Sequence, residues 1–318
     1  MKRMRAFTPL LKDLFPTIRL YVPAKSFTTF GVGGTAKYFL RITDTSSLVE
    51  TVRLLRRKRI PYYLIAGGSN LIFPDGVFQK LIICIETRKF VRFDRMVTVS
   101  AGLPLAVLIK KSIGSGLAGL ESLSGIPGSV GGAIVGNAGA YGQAISDHLV
   151  RVRIFDGRLV RWVSKSYCAF SYRESIFKKK KFMILDAQFR LRPGNKTRLL
   201  QHANKIVALR SKKYKKGLRC PGSFFKNVLV DTVSQRSLAK VPPEKIIDGK
   251  IPAGYLLEVV GAKGLCQGKI CIASFHGNLL VNCGGARSCD VRGLAEILKE
   301  RVRRTFGIKL EEEVRYVV

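Results

Sequence analysis

Short hydrophobic runs separated by glycine- and proline-containing turns predict several β-strands. The run from Tyr62 to Ala66 is followed by the turn Gly67-Gly68-Ser69-Asn70, after which Leu71 to Phe73 are apolar again. Such residues favour strands and turns respectively, so we expect a strand, a tight turn and a second strand. Three further strands are predicted ahead of the turn Arg192-Pro193-Gly194, at Val150 to Phe155, Leu159 to Val163 and Phe182 to Leu191.

Other segments carry their hydrophobic residues at helical spacing. Residues 46–59 place leucine and valine among basic residues behind a serine- and threonine-rich start, which predicts an amphipathic helix. We expect further helices over Lys196 to Arg210 and after an N-cap at Asp290, with Gly307 as the C-terminal stop. The chain then becomes strand-like from Ile308 to Val318. This mixture of helices and strands predicts an α+β fold.

The segment from Gly114 to Gly142 is unusually rich in glycine. Ten of its 29 residues are glycine, against a background of roughly 7%. We expect neither an ordinary helix nor an ordinary strand here. Ordering glycine costs conformational entropy. A large planar cofactor lying against the backbone would explain why so many glycines are ordered in one segment. No G-x-G-x-x-G fingerprint with an acidic residue about 20 positions later is present, which argues against a Rossmann site.

The turn from Gly67 to Asn70 is a weaker signal for a ligand. Glycines that tolerate positive φ can direct several backbone N–H groups toward one point, as in a pyrophosphate site. A plain turn explains these four residues equally well.

Composition indicates a folded protein without membrane insertion. The chain has 318 residues and 47% hydrophobic content, enough for a substantial core. Its longest apolar stretches are too short for a bilayer-spanning helix of about 20 residues, and Glu258 interrupts the one from Ala253 to Ala262. The first 19 residues also lack the apolar core of a signal peptide. We therefore expect a cytoplasmic protein.

The net charge of +35, from 56 basic and 21 acidic residues, should attract anions. A nucleic-acid partner is one explanation. The basic residues are however spread along the whole chain, and the densest run, Lys178 to Lys181, is typical of a solvated loop. We expect no specific nucleic-acid partner.

Seven cysteines are present, an odd number, and no two of them stand at the spacing of a zinc or redox motif. We expect free, mostly buried thiols and no bound metal.

Several motifs together resemble a known family, the UDP-N-acetylenolpyruvoylglucosamine reductases, whose FAD-binding domain is of the vanillyl-alcohol-oxidase type. The matching blocks run in family order and cover nearly all of the chain from residue 20 onward. They are Ser26 to Gly34, Ala66 to Leu71, Gly119 to Gly142, Phe170 to Ser175, Gly222 to Asn227 and Leu310 to Arg315.

The resemblance implies a two-part FAD-binding domain, an α+β substrate-binding domain and a set of flavin contacts. The expected boundaries are an extension over residues 1–19, the FAD-binding domain over 20–195 with parts 20–85 and 86–195, and the substrate-binding domain over 196–318. FAD should be noncovalent, because residues 31–34 offer no histidine or cysteine for attachment. The implied FAD-binding residues are Gly31, Gly67, Gly68, Ser69, Asn70, Ser124, Ile126, Pro127, Gly128, Gly131, Gly132, Asn137, Ala138 and Gly139.

The implied reaction is reduction of UDP-N-acetylglucosamine enolpyruvate to UDP-N-acetylmuramate for peptidoglycan synthesis, with NADPH reducing FAD. Hydride delivery to an enol ether builds negative charge on the adjacent carboxylate, so cationic and hydrogen-bonding groups there lower the barrier. The resemblance assigns this role to Arg173, with Glu313 as the second partner and Glu311 as the alternative. Without the family match, Arg173 would be interpreted as an ordinary arginine at the end of a strand. The three consecutive glutamates at 311–313 would be interpreted as a solvated strand edge.

Protonation of the carbon bearing the ether oxygen falls by resemblance to Ser223. A serine is a weak acid, so a lysine such as Lys213 or Lys226 should assist it; the alternative is a simple turn. Tyr172 and Asn227 are expected to hydrogen-bond the substrate.

Some features depart from the family pattern. Val228 replaces a usual proline, and the stretch from Val230 to Lys250 is unfamiliar. No extended insertion follows Arg173, which indicates the subgroup with the shorter loop. Two other functions compete, a basic nucleic-acid-binding protein on a degenerate flavoenzyme scaffold and an FAD oxidase of another alcohol or sugar. The Ser-Phe-Phe-Lys-Asn block at 223–227 disfavours the oxidase.

Overall fold

A computed structural model of the chain describes residues 7–215 and 217–318. The first six residues of the expected N-terminal extension thus lie outside the described part. The chain forms two compact units, each built from discontinuous segments. The first unit comprises residues 7–21, Lys37–Gly67 and Gln79–Lys212, and the second comprises Val22–Ala36, Gly68–Phe78 and Lys213–Val318. The domain boundaries expected from the sequence stay a prediction.

The larger sheet of the first unit is antiparallel and five-stranded. Val97, Val99, Val152 and Ile154 of its strands are buried in one hydrophobic cluster, and Met183 and Leu185 of the middle strand are buried in a second. In spatial order its strands are Val160–Ser164, Leu149–Phe155, Met183–Arg190, Met96–Ser100 and Phe90–Phe93. The helices of this region are Leu105–Gly114, Val130–Val135, Ile176–Lys179 and Lys196–Lys213, and the short paired strands are Leu117–Ala118 with Arg192–Pro193 and Gly139–Ala140 with Gln143–Ala144.

Most of a four-stranded sheet also belongs to the first unit. Its strands lie in the order Arg19–Pro23, Thr35–Ile42, Val77–Ile85 and Tyr62–Ile65. The helices Phe7–Leu14 and Thr45–Arg57 bury Leu11, Leu48, Val52 and Leu55 in the same hydrophobic cluster as Leu81 and Ile83. Asp44 caps the second helix through a bond from the Ser47 N–H at 2.7 Å, and its bonds to Ser46 and Ser47 lower its carboxyl pKa to about 2.

The second unit has short strands around a core of Phe224, Phe225, Leu256, Leu257 and Leu298. Its three-stranded antiparallel sheet consists of Cys266–Gln267, Ile270–Ile272 and Leu280–Asn282. Val228–Leu229 pairs with Lys250–Ile251, and Leu71–Ile72 pairs in parallel with Arg315–Tyr316. The helices are Gln235–Leu238, Ala253–Val259 and Ser288–Phe306.

The structure confirms the α+β class and most predicted elements. The strands on both sides of the Gly67 turn and the helices beginning at Thr45 and Lys196 are present. Two predictions were wrong in part. The glycine-rich segment contains a six-residue helix, Val130–Val135. The terminal strand reduces to Arg315–Tyr316 and an isolated bridge between Phe225 and Glu312.

The predicted N-cap at Asp290 was also wrong. The last helix begins at Ser288, and Asp290 occupies its third position, where its carboxylate accepts the Arg287 N–H at 3.0 Å. The Asp75 carboxylate instead accepts the N–H groups of Ser288 and Cys289 at 2.8 and 3.1 Å. A carboxylate from a distant segment therefore satisfies the first turn.

The expectation of free, mostly buried thiols holds for only some cysteines. Cys84 and Cys168 are free and buried, and burial raises the pKa of their thiols, to about 12 and about 11. Cys283 and Cys289 are free but exposed, and Cys266 is bonded to Cys271. These two are directly opposite each other in the hairpin register, which brings their Cα atoms to 4.1 Å.

Within residues 7–215 and 217–318, no helix combines the length and hydrophobicity that crossing a membrane requires.

Candidate active site

The expected flavin loops of the first unit are packed backbone against backbone. A Cβ placed on Gly67 would lie 2.6 Å from the Cα of Gly128, too close for any side chain. Gly125 and Gly128 have φ values of +77° and +110°, which residues with side chains rarely adopt. Glycine is therefore required at these loops by their conformation and by the close approach of the two segments.

Two polar atoms in these loops are buried without a hydrogen-bond partner among the described residues. Ser124 and Asn137 are only 6% and 9% exposed, and the Ser124 Oγ and the Asn137 Oδ1 each lack a partner. A buried polar group without a partner costs roughly 1–3 kcal/mol, so an absent ligand is a natural explanation. The residues therefore fit a bound cofactor with several polar groups, as FAD has.

Not every predicted FAD contact can offer its backbone N–H to a ligand. The N–H groups of Gly131, Gly132 and Ala138 donate to Ala101 O, Ser129 Oγ and Ala133 O. The backbone N–H groups of these three residues are therefore already bonded within the protein.

The turn that carries Arg173 is anchored to the same loops. Arg173 has a left-handed backbone with φ +57°, inside a tight bridge between Ser171 and Glu174. The Asn137 Nδ2 donates to Ser171 O at 2.9 Å, and the Ser175 Oγ donates to Val135 O at 2.7 Å. An unfavourable conformation of this kind persists only where the surroundings enforce it, and such positions cluster at functional sites.

Charged neighbours support the Arg173 turn. Lys178 Nζ donates to Arg173 O at 2.6 Å and forms an ion pair with Glu174 at 3.0 Å. The guanidinium of Arg173 lies 5.6 Å from the ring centroid of Tyr172. The first unit thus brings together Arg173, Tyr172 and Asn137, three of the residues predicted from the sequence.

In the second unit, the Ser223 hydroxyl contacts two side chains that carry protons. Lys213 Nζ donates to the Ser223 Oγ at 3.2 Å, and the Tyr214 hydroxyl lies 3.3 Å from the same oxygen. Lys226, the other lysine considered as a helper, is instead paired with Glu311 at 2.6 Å. Of these two lysines, Lys213 is the one with a hydrogen bond to the Ser223 hydroxyl.

Glu313 is held close to Ser223 by backbone pairing. Its N–H donates to Phe224 O at 2.8 Å, and the Lys226 N–H donates to Glu311 O at 2.9 Å. Asn70 fixes the segment from the other side, because its Nδ2 donates to Glu313 O at 2.9 Å. Glu311 is 73% exposed in its ion pair with Lys226, which favours Glu313 over Glu311 as the candidate.

The remaining predicted residues of the second unit lie in loops that hydrogen bonds or close backbone contacts hold in place. Gly31 O and Phe30 O both accept from Asn282 Nδ2 at 3.0 Å. Gly68 has φ +59°, and any Cβ there would collide with Phe27 O. Ser69 O accepts from Thr29 Oγ1 at 3.1 Å. Asn227 Oδ1 accepts the Ala253 N–H at 3.2 Å, at the start of a helix.

No pattern in the sequence indicated Asn278, which hydrogen-bonds the segment directly after Ser223. Its Oδ1 accepts the Phe225 N–H at 2.8 Å, its Nδ2 donates to Phe225 O at 2.9 Å, and its carbonyl accepts the Phe224 N–H at 3.1 Å. The Asn278 N–H in turn donates to His276 Nδ1 at 3.0 Å. His276 thus accepts a backbone hydrogen bond through its Nδ1.

A Gly67→Ala substitution is expected to destabilise the first unit and weaken FAD binding. The added methyl has backbone atoms as neighbours, so the loops must separate at a cost of about 1–3 kcal/mol. Gly114→Ala is the matched control, since Gly114 is exposed and has open space around its Cβ position. Thermal unfolding and FAD titration measure both effects, and equal behaviour of the two variants would contradict the close-packing argument.

The lowered pKa of His276 predicts that the folded protein loses stability in mild acid. Burial, reinforced by the nearby Lys213 charge, lowers the pKa of His276 to about 4, whereas an unfolded histidine titrates near 6.5. Between these values the unfolded state binds more protons, so the free energy of unfolding should fall as pH falls from 6.5 to 4. Urea unfolding of His276→Gln at several pH values should show a shallower fall than wild type, and an identical slope would contradict this account.

The family model described as the FAD binding domain matches residues 36–161, which contain most of the glycine-lined loops, so the chain is a flavin-binding oxidoreductase. A second model, the C-terminal domain of UDP-N-acetylenolpyruvoylglucosamine reductase, matches residues 212–317, which contain Ser223 and Glu313. The chain belongs to the UDP-N-acetylenolpyruvoylglucosamine reductase family.

Full-length relatives support this assignment. The reductase of that name from Solibacter usitatus is 38% identical over 296 residues, covering 93% of this chain and 95% of its own. The one from Alkaliphilus oremlandii is 32% identical over 321 residues, covering 100% and 99%. A crystal structure of the enzyme from Thermus caldophilus is 28% identical, with a TM-score of 0.74, and the match covers 95% of this chain and 100% of that one.

Proposed function

We propose that this chain reduces the enolpyruvyl ether of UDP-N-acetylglucosamine to UDP-N-acetylmuramate, in peptidoglycan precursor synthesis, with FAD as cofactor and NADPH as reductant. The observation that carries the proposal is the cluster around Ser223 in the second unit. It combines a hydroxyl, the Lys213 ammonium and the backbone-paired Glu313 segment, inside the region that matches the family's C-terminal domain. Adding hydrogen across an enol ether needs a proton donor of this kind.

The glycine loops of the first unit would hold FAD noncovalently. Ser124 and Asn137 would supply buried polar atoms for it, and Gly67, Gly125 and Gly128 give the loops the conformation and close packing that shape this part of the site. The role of the remaining predicted contacts, including Ile126, Pro127 and Gly139, rests on the family resemblance. Bound FAD supplies the hydride that the protein side chains cannot provide.

Ser223 is proposed to protonate the carbon that bears the ether oxygen. Lys213 donates to its oxygen and stabilises negative charge that develops there when the proton leaves. Lys213 carries three donors and no acceptor, so its bond leaves the Ser223 proton available for the substrate.

Arg173 is proposed to bind the substrate carboxylate. A guanidinium stays charged in any environment and engages a carboxylate with two parallel hydrogen bonds. Its interaction with the carboxylate strengthens as negative charge builds on the carboxylate oxygens. An interaction that is stronger in the transition state than with the bound substrate lowers the activation barrier. The left-handed turn is held by the hydrogen bonds at Ser171 and Ser175. They fix the position of the Arg173 backbone, from which the guanidinium side chain extends.

Glu313 is proposed as the second group at the developing charge, in a protonated or proton-sharing form, because a plain carboxylate would repel it. Tyr172 and Asn227 are proposed to hydrogen-bond the substrate. A cytoplasmic location and the absence of a specific nucleic-acid partner stay predictions.

Product analysis tests the proposed function. The protein with FAD, NADPH and the enolpyruvyl substrate in D2O should yield UDP-N-acetylmuramate that carries solvent deuterium at the carbon bearing the ether oxygen. Mass spectrometry and proton NMR identify the compound and the labelled position. Full recovery of unreacted substrate, from protein shown to contain FAD, would refute the proposal.

A further inference from the structure

Tyr214 is a second neighbour of the Ser223 hydroxyl that the family resemblance did not indicate. Its hydroxyl lies 3.3 Å from the Ser223 Oγ, on the residue that directly follows Lys213. Lys213 Nζ lies 5.3 Å from the centroid of the Tyr214 ring. The three side chains therefore form one cluster in the second unit, and all three are partly exposed.

The hydrogen-bonding capacity of these groups restricts how they can be arranged. A hydroxyl has one proton and two lone pairs, whereas an ammonium can only donate. Lys213 therefore occupies one lone pair of the Ser223 Oγ. If Tyr214 donates to the other, the single Ser223 proton must point to a third direction, which is where a proton acceptor on a substrate is needed.

The contact between the Tyr214 and Ser223 hydroxyls also compensates for the weak acidity of serine. A serine that loses its proton to carbon becomes an alkoxide, which is unstable unless another proton arrives at the same time. A phenol is a far better proton source, with an ordinary pKa of about 10. The positive charge on Lys213 stabilises the phenolate that remains.

We propose that Tyr214 is a positioning residue that orients the Ser223 proton and replaces it during the reaction. This inference rests on the proposed function. The Ser223 O–H bond breaks as the C–H bond forms from an electron pair of the substrate intermediate, and the Tyr214 O–H bond breaks as the Ser223 O–H bond re-forms. Water then returns a proton to Tyr214, so each turnover consumes one proton from solvent.

Stopped-flow absorbance of the FAD-loaded full chain tests this role with Tyr214→Phe. Flavin reduction by NADPH should keep its wild-type rate, whereas reoxidation by the enolpyruvyl substrate should slow about tenfold or more, within the range that proton-transfer groups contribute. In mixtures of H2O and D2O, the wild-type reoxidation rate should depend on deuterium content along a more strongly curved line than the variant rate, because one more exchangeable hydrogen moves in the wild type.

Binding separates this role from a purely structural one. Calorimetric titration of the oxidised protein with the enolpyruvyl substrate involves no turnover, and Tyr214→Phe should leave the affinity within about threefold of wild type. Tyr255→Phe is the matched control, since Tyr255 lies in the same unit and packs its ring near Phe306, at 6.4 Å between centroids. It should leave both half-reactions unchanged.

A double variant tests the path through Ser223. In a Ser223→Ala background, Tyr214→Phe should cause no additional slowing, because the residue through which Tyr214 acts is gone. If Tyr214→Phe fails to fold, fluorotyrosine at position 214 keeps the shape of the side chain but makes its hydroxyl more acidic. The reoxidation rate should then change, and an unchanged rate overturns the inference.

The failure of this inference differs from failure of the proposed function. Wild-type reduced flavin that is not reoxidised by the enolpyruvyl substrate would refute the function. A wild-type enzyme that turns over, together with a Tyr214→Phe variant of equal rate and equally curved deuterium dependence, would overturn the role of Tyr214 alone.

Discussion

A Ser223→Ala variant is expected to be reduced by NADPH at close to the wild-type rate and to be reoxidised by the enolpyruvyl substrate about 10²–10⁴-fold more slowly. Removing the hydroxyl takes away the proposed proton donor, while Lys213 and Tyr214 remain in place. The flavin loops of the first unit contain no part of this cluster. The two half-reactions should therefore separate clearly in anaerobic stopped-flow absorbance.

The matched control for this experiment is Ser211→Ala. The Ser211 hydroxyl donates to Val207 O within the helix Lys196–Lys213, and its removal should leave both half-reactions unchanged. Equal losses in both half-reactions of Ser223→Ala would show that Ser223 supports the fold or the cofactor, and the proposed role would be wrong.

An Arg173→Ala variant should also lose mainly the substrate half-reaction, by about 10²–10³-fold, the range for removal of one charge-stabilising group. Arg173→Lys tests the geometry, because it keeps the charge but not the two parallel hydrogen bonds. We expect the lysine variant to recover only a minor part of the rate. Its maximal rate should fall by a larger factor than its substrate affinity, because the proposed contact strengthens as charge develops.

Arg198→Ala controls for the loss of one positive charge from a highly basic chain. Arg198 is exposed on the helix Lys196–Lys213 of the first unit, away from the Arg173 turn in sequence. Its replacement should change neither half-reaction. Normal reoxidation of Arg173→Ala by the substrate would remove Arg173 from the proposed mechanism.

The parts of the fold that sequence predicted are those determined by local periodicity. The helix Ser288–Phe306 buries Val291, Leu294, Leu298 and Val302 along one face, and that spacing is readable in the sequence. Its start was misplaced because Asp75, more than 200 positions away, caps it. Local patterns contain no information on such a contact.

Strand pairing that hydrophobic periodicity does not specify explains other errors. The terminal segment has strand-forming residues, but the structure pairs only part of it, through Glu312 and Arg315–Tyr316. Cys266 and Cys271 have no recognisable motif spacing, and the hairpin register places them opposite each other. Both outcomes depend on which strand lies alongside, which periodicity does not specify.

The candidate site depended on resemblance more than on pattern. Glycine density alone indicated a cofactor in the segment around Ser124 to Asn137, and the orphaned polar atoms there support that hypothesis. Ser223 and Glu313 would not have been selected without the family motifs. Tyr214 and Asn278 were missed because their contacts with Ser223 and Phe225 arise only in the folded chain.

The most direct test of the central claim is an anaerobic absorbance experiment on the purified wild-type chain. The visible flavin absorbance of the protein with FAD should bleach on addition of NADPH and recover fully when UDP-N-acetylglucosamine enolpyruvate is added. Bleaching without recovery would leave a flavoprotein that does not use this substrate. A chain that binds no FAD would contradict the proposed FAD-dependent function.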